Sequence, residues 1–377
     1  MIYLDNASTT KPSKEAIAAI TNALAKDFGN PSSLHRLGIN AELIISQARK
    51  IIGAALVADP ECIYFTSGAT ESNNLAINGV IENYGKRRPK IVTTAVEHPS
   101  VSEVFSRLES IGFEVKRIYP KPNGEIEWEA IVSAVDDRTC LVSCMLVNNE
   151  NGAVLPVKRA FKEIKRLYPD VVTHCDAVQA FMKIPFKASQ LFADIISISA
   201  HKINGPKGVG AIYIKKGVRV APQNIGGGQE KKIRSGTESV PLIAGFGSAV
   251  ETKIQTVTQR LEYLEGLKEY FLSVLEVLNN VSVLSRADAS PYIISIAVDG
   301  VKSEVMLHFL ESKGIYVSSG SACSKGEKSE VLKSFNVSER LLDFTIRISL
   351  SDENTKEELD TLIEAISEAQ GTLQKIK

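Results

Sequence analysis

Between residues 14 and 255 the chain repeats one pattern: a short apolar run, a turn rich in small residues, then an amphipathic stretch. Runs that read as buried strands fall at 62–65, 91–95, 113–119, 139–147, 171–175, 194–199 and 209–214. Helical segments or long connections separate most of them. One spans 15–27, where Ile17, Ile20 and Leu24 share a stripe behind the start signal Pro12-Ser13. Alternation of this length predicts an α/β fold, with a mainly parallel sheet sandwiched by helices. Such sheets bind ligands in loops beyond the carboxyl ends of their strands. Residues that immediately follow each apolar run are therefore the candidates for chemistry.

Near residue 255 the texture changes. A long helix over 256–278 precedes short strands at 281–284 and 292–298, a helix at 303–313, a strand at 344–350 and a terminal helix from Glu353. The expected division is a large domain over 15–255 and a smaller α+β domain formed by 1–14 and 256–377. At 377 residues and 44% hydrophobic the chain can bury two cores. Formal net charge is zero, so bulk electrostatics favours neither nucleic acid nor an anionic membrane. No apolar run approaches the ~18 residues that span a bilayer. The start, Met1-Ile2-Tyr3-Leu4-Asp5, lacks the basic and apolar regions of a secretory signal. The five cysteines are scattered without a Cys-x-x-Cys pair, which argues for a reducing cytoplasm and against disulfides or a zinc site.

Lys202 follows the run Ser197-Ile198-Ser199-Ala200-His201, and Asp176 follows Val171-Val172-Thr173-His174-Cys175. A lysine and a carboxylate delivered from neighbouring strand ends is what pyridoxal phosphate (PLP) requires. The lysine forms the Schiff base, and the carboxylate keeps the pyridine nitrogen protonated. Alternatively Lys202 is a surface lysine near a turn, and Asp176 a helix cap or metal ligand. Ser67-Gly68-Ala69-Thr70 turns from a strand into a helix, either as an anion-binding turn or as an ordinary cap by Ser67 or Thr70. Ser199 and His201 are placed to hold a phosphate beside it. His98 either stacks on a cofactor ring or caps the next helix. Asn149 and Gln179 follow successive strands and belong to the same pocket if there is one. Gly226-Gly227-Gly228 and Arg234-Ser235-Gly236-Thr237 form a polar loop that is a plain connection or a phosphate clasp. Arg347 stands in an apolar strand and needs a partner, either a protein carboxylate or that of a substrate. Cys323 lies among small and charged residues, unlike Cys62, Cys140, Cys144 and Cys175, which sit in apolar segments. An accessible thiol near a cation such as Lys325 reads as a nucleophile.

Read together, these residues resemble the cysteine desulfurases of the iron–sulfur-cluster assembly type, within the class V aminotransferase group of fold-type I PLP enzymes. The resemblance runs from Tyr3-Leu4-Asp5-Asn6-Ala7-Ser8-Thr9-Thr10 through Phe28 to Ser33, Thr66 to Asn74, Glu97-His98 and Val147 to Gly152. It continues through His174 to Gln179, Ser199 to Gly208, Gly226 to Thr237 and Ser318 to Cys323. It implies a Schiff base at Lys202, a pyridinium partner in Asp176, a ring-hydroxyl donor in Gln179 and a stacked His98. Ala69, Thr70, Ser199 and His201 would bind the phosphate, with Thr237 reaching in from the second subunit of a homodimer. Asn149 and Arg347 would hold the carboxylate of L-cysteine. Cys323 would accept the sulfur as a persulfide and pass it to an acceptor protein. Ala200 replaces a glycine common in relatives, and 324–330 is more charged and slightly shorter than the resemblance leads one to expect, which bears on acceptor choice. The rival expectations are a selenocysteine lyase or related PLP lyase, and a binding partner that kept the fold without turnover.

Overall fold

The computed structural model describes residues 1–319 and 328–373. Its strands, in chain order, are β1 (Ile2–Tyr3), β2 (Ile63–Thr66), β3 (Lys90–Thr94), β4 (Glu114–Ile118), β5 (Thr139–Met145), β6 (Val172–Asp176), β7 (Ile195–Ser199) and β8 (Gly210–Ile214). They continue with β9 (Val281–Val283), β10 (Ile293–Val298), β11 (Ile315–Tyr316), β12 (Ser318–Ser319) and β13 (Thr345–Ser349). β2 to β8 form a seven-stranded sheet in the order β2-β8-β7-β6-β5-β3-β4. All its pairings are parallel except those of β8, which runs against both β2 and β7. The reversal has a local cause: the chain leaves β7 through the Ala200–Lys202 turn and re-enters the sheet beside the same strand, with no crossover helix between.

Every residue of β5, β6 and β7 is buried, the pattern of strands covered by helices on both faces. One apolar cluster gathers Ile45, Phe161, Phe181 and Phe246; another gathers Leu75, Ile77 and Phe105 with Leu141 of β5. His174, in the middle of β6, is stapled to Ser143 Oγ of β5 at 2.8 Å and Ser197 Oγ of β7 at 3.0 Å. Burial depresses its pKa to about 3, so it stays neutral and structural.

A second, antiparallel sheet has the order β12-β13-β10-β9. A separate apolar cluster, including Phe271, Ile294, Ile348 and Leu362, covers it. The N-terminal residues belong here in space, since β1 pairs with β11 and Asp5 bridges Ser349. Among the described residues, no helix is long and apolar enough to cross a membrane.

The first helix, Lys14–Lys26, is capped by Ser13 as its sequence suggests, but its stripe is not the buried face. Ala16 and Ala23 are buried, whereas Ile17 and Leu24 are 49% and 62% exposed. The reason is close approach: the helix lies on Val240–Glu251, where a Cβ on Gly245 would stand 2.7 Å from Ile20 Cγ1. Glycine there makes room for Ile20, so of the three stripe residues Ile20 packs inward, while Ile17 and Leu24 lie off that contact and face outward.

Candidate active site

The carboxyl ends of the parallel strands open into a cleft of about 1010 Å³. Its walls include Ala69, Thr70, His98, Asn149, Asp176, Gln179, Ser199, His201, Lys202 and Arg347. The sequence-predicted residues of the described chain thus share one cavity, with one exception. Thr237 is exposed and does not line this chain's cleft. Cys323 lies outside the described residues, yet both flanks of 320–327 reach the site. Ser318 of β12 stands opposite Arg347 of β13, and Lys328, Ser329, Glu330 and Val331 line the cleft.

Lys202, at the end of the turn after β7, donates from Nζ to the carbonyls of Ala7 and Ser8 at 2.6 and 2.7 Å. The N-terminal segment thereby closes one side of the cavity. Asp176 ends β6. Its Oδ1 accepts from the Val178 amide at 3.0 Å, and its Oδ2 from Asn73 Nδ2 at 2.8 Å. No helix begins there for it to cap, and among the described residues no group of three or more His, Cys, Asp or Glu surrounds it. Asn73 also donates to Ser100 Oγ at 2.9 Å, and Ser100 Oγ lies 2.8 Å from His98 Nδ1.

His98 caps the next helix, as one of the two readings expected, and its place in the cleft leaves the other open. Its Nδ1 accepts from the Ser100 amide at 3.1 Å and so caps helix Pro99–Ser110, while the ring lines the cleft. Burial lowers its pKa, opposed by Asp176 and assisted by Lys202, which suits an acceptor nitrogen.

At the opposite end, helix Ala69–Val80 begins at Gly68 without any side-chain cap. The capping roles considered for Ser67 and Thr70 are not realised; the Ser67 amide instead donates to Glu71 Oε2. The first amides of this helix therefore face the cleft with the polarity that attracts an anion. Gly210 lets the turn approach, because a Cβ there would stand 2.8 Å from the Gly68 backbone. Nearby, buried Ser199 Oγ has no partner among the described residues, and His201 Nδ1 is 3.2 Å from Thr9 Oγ1.

Arg347 is 2% exposed. Nη1 donates to the Asn149 carbonyl at 2.8 Å, and Nη2 to Asp5 Oδ1 at 3.0 Å and Ser8 Oγ at 2.6 Å. A protein carboxylate thus holds the guanidinium, but Arg347 Nε and Asn149 Oδ1 are both buried without a partner among the described residues. The other four cysteines are buried. Burial raises the Cys62 thiol, pushes Cys140 to about 12 and drives Cys144 and Cys175 well above the ordinary range, so none is a nucleophile.

Several residues of the site escaped sequence reasoning. Glu97, Glu150, Asn73 and Ser100 all line or support the cleft. Asn73, Glu97 and Glu150 lie within stretches that carry the resemblance, but burial of a carboxyl has no signature in a single sequence.

Residues 2–362 match the family described as Aminotransferase class-V. The chain belongs to this family. It is an enzyme of the PLP-dependent, fold-type I kind. The protein named cysteine desulfurase IscS from Dictyoglomus turgidum is 38% identical over 97% of this chain and 93% of its own length. Among solved structures, a NifS-like protein superposes with a TM-score of 0.93 at 36% identity, covering 99% of this chain and 100% of the other. A structure of SspA in complex with cysteine gives a TM-score of 0.83 at 32% identity over 94% of this chain and 100% of the other.

Proposed function

We propose that this chain is a cysteine desulfurase. It converts L-cysteine to L-alanine, retains the sulfur as a persulfide on Cys323 and delivers it to an acceptor protein in the cytoplasm, within a homodimer. The observation that carries this reading is one cleft that joins Lys202 and Asp176 and receives both flanks of the Cys323 segment.

The donor set fits PLP. An uncapped helix start and the unpartnered Ser199 hydroxyl suit a phosphate, and the Asp176 carboxylate suits a protonated ring nitrogen. Lys202 supplies the amine between them. When bound, PLP supplies the electron sink that makes the Cα proton of an amino acid acidic.

The chain's own residues do the rest. Arg347 Nε is the buried donor left open for the substrate carboxylate; Asn149 would join it by turning its amide so that Nδ2, not the unpartnered Oδ1, meets the carboxylate. Asn73 holds Asp176 and Ser100 together, and Ser100 holds His98, so carboxylate and ring are fixed by one network. Lys202 Nζ moves the Cα proton. Cys323 thiolate takes the substrate sulfur, its Sγ forming the S–S bond as the C–S bond breaks, and the carbon skeleton takes up a proton to leave as L-alanine.

Support for the homodimer comes from apolar side chains turned to solvent in one stretch of chain. Leu24, Phe28, Leu34 and Leu43 are all at least 62% exposed. Thr237, exposed on its own chain, is then available to a neighbour's phosphate site.

The test is an assay of purified, PLP-loaded protein with L-cysteine. Alanine should appear in step with sulfide or persulfide. Binding of PLP without alanine formation would overturn the reading.

A further inference from the structure

Lys183 is a buried amine that the reaction above does not use. It lies in the turn after β6, is 5% exposed, and forms no ion pair with a carboxylate among the described residues. The charged groups that face it are all cations: Lys202, Arg347 and Lys253. Asp352, the acid on that side, is engaged with Lys253 and Arg260 at 3.7 and 3.8 Å. Burial and these like charges drive the Lys183 pKa well down. Among the described residues its one softer contact is the Tyr292 ring, with Nζ 5.6 Å from the centroid. A lysine in such a place is costly unless its one good hydrogen bond matters.

That bond goes to Gln179 Oε1, at 2.8 Å. The other end of the same amide donates from Nε2 to the Ala7 carbonyl at 2.9 Å. The two partners bracket the amide and forbid its flipped form, which would set Oε1 against a carbonyl and Nε2 against a donor. Since Nε2 carries two hydrogens and Ala7 takes one, the second is left for the cleft that Gln179 lines with Asp176 and Lys202.

We propose that Lys183 is a positioning residue for the cofactor: by holding Gln179 Oε1 it keeps the Nε2–H aimed at the ring hydroxyl of PLP. The inference rests on the functional reading above and deepens it. An N–H aimed at that oxygen favours its ionised form, so losing the aim makes the neighbouring imine nitrogen hold its proton to higher pH.

The test is a spectrophotometric pH titration of the yellow band in the PLP-loaded protein, without substrate. Lys183→Met should raise the midpoint by about one pH unit, the size of one lost charge-assisted hydrogen bond. Gln179→Ala should raise it similarly, and adding Lys183→Met to that variant should move it no further, because both act through one amide. Lys183→Gln, which keeps an N–H donor and removes the titratable amine, should stay at the parent midpoint and serves if the Met variant does not fold. An unmoved midpoint in Lys183→Met, a full additional shift in the Gln179→Ala background, or a shifted midpoint in Lys183→Gln would each overturn the inference. A yellow parent with an unmoved variant sinks this inference alone; a parent that takes up no PLP sinks the functional reading as well.

Discussion

Glu97 shows how far a single carboxyl can be governed by its surroundings. Its Oε1 accepts from Thr94 Oγ1 and the Met145 amide, its Oε2 has no partner among the described residues, and burial pushes its pKa up to about 8. The folded protein therefore holds a proton there that the unfolded chain releases near the ordinary carboxylate range. Stability from this group is intact at low pH and is lost as pH rises through about 8. Glu97→Gln has no such loss, so its Tm should match the parent near pH 5 and exceed it above about pH 8; parallel Tm–pH curves would contradict this. Asn149 belongs to the same scale. Its main-chain carbonyl holds Arg347 and its side chain lines the cleft with an unpartnered amide, so Asn149→Ala should lower kcat/KM for L-cysteine about tenfold, mostly through KM, without changing the cofactor spectrum.

Among elements, the glycine-rich loop is tied down by Glu230, which follows its three glycines. Glu230 accepts from both Arg49 Nη atoms at 2.8 Å and from the Phe65 amide at 2.8 Å, joining the loop to helix Arg36–Leu56 and to β2. Glu230→Ala leaves Arg49, whose side chain is 12% exposed, without its carboxylate and with the Ile63 carbonyl as its remaining hydrogen-bond partner among the described residues. It should cost about 3–5 kcal/mol in urea unfolding; a loss below about 1 kcal/mol would show the pair to be dispensable. Elements themselves were legible. Strands expected at 91–95 and 113–119 appear as β3 and β4, because apolar runs bounded by turn residues carry the signal. The antiparallel sense of β8 was not legible, since direction depends on the connection rather than on the run. Nor was the outward stripe of Ile17 and Leu24, because periodicity marks an apolar face without saying what covers it. The cleft residues were readable from their places after successive strands, whereas Lys183, Asn73 and Ser100 act through contacts that only three dimensions reveal.

At the scale of the molecule, the proposed second copy would cover the outward apolar side chains and meet Thr237. Leu24→Glu with Phe28→Glu should shift the protein from dimer to monomer in sedimentation and reduce its retention of PLP. A parent that sediments as a fully active monomer would contradict the dimer. With the other four thiols buried, Cys323 is the sulfur acceptor proposed here. The most direct measurement is mass spectrometry of the Cys323 peptide after the PLP-loaded protein meets L-cysteine. One added sulfur atom on that peptide, matched by released alanine and absent in Cys323→Ala, is the predicted result. Alanine and sulfide formed at the parent rate by Cys323→Ala, with no sulfur added to Cys323 in the parent, would contradict it.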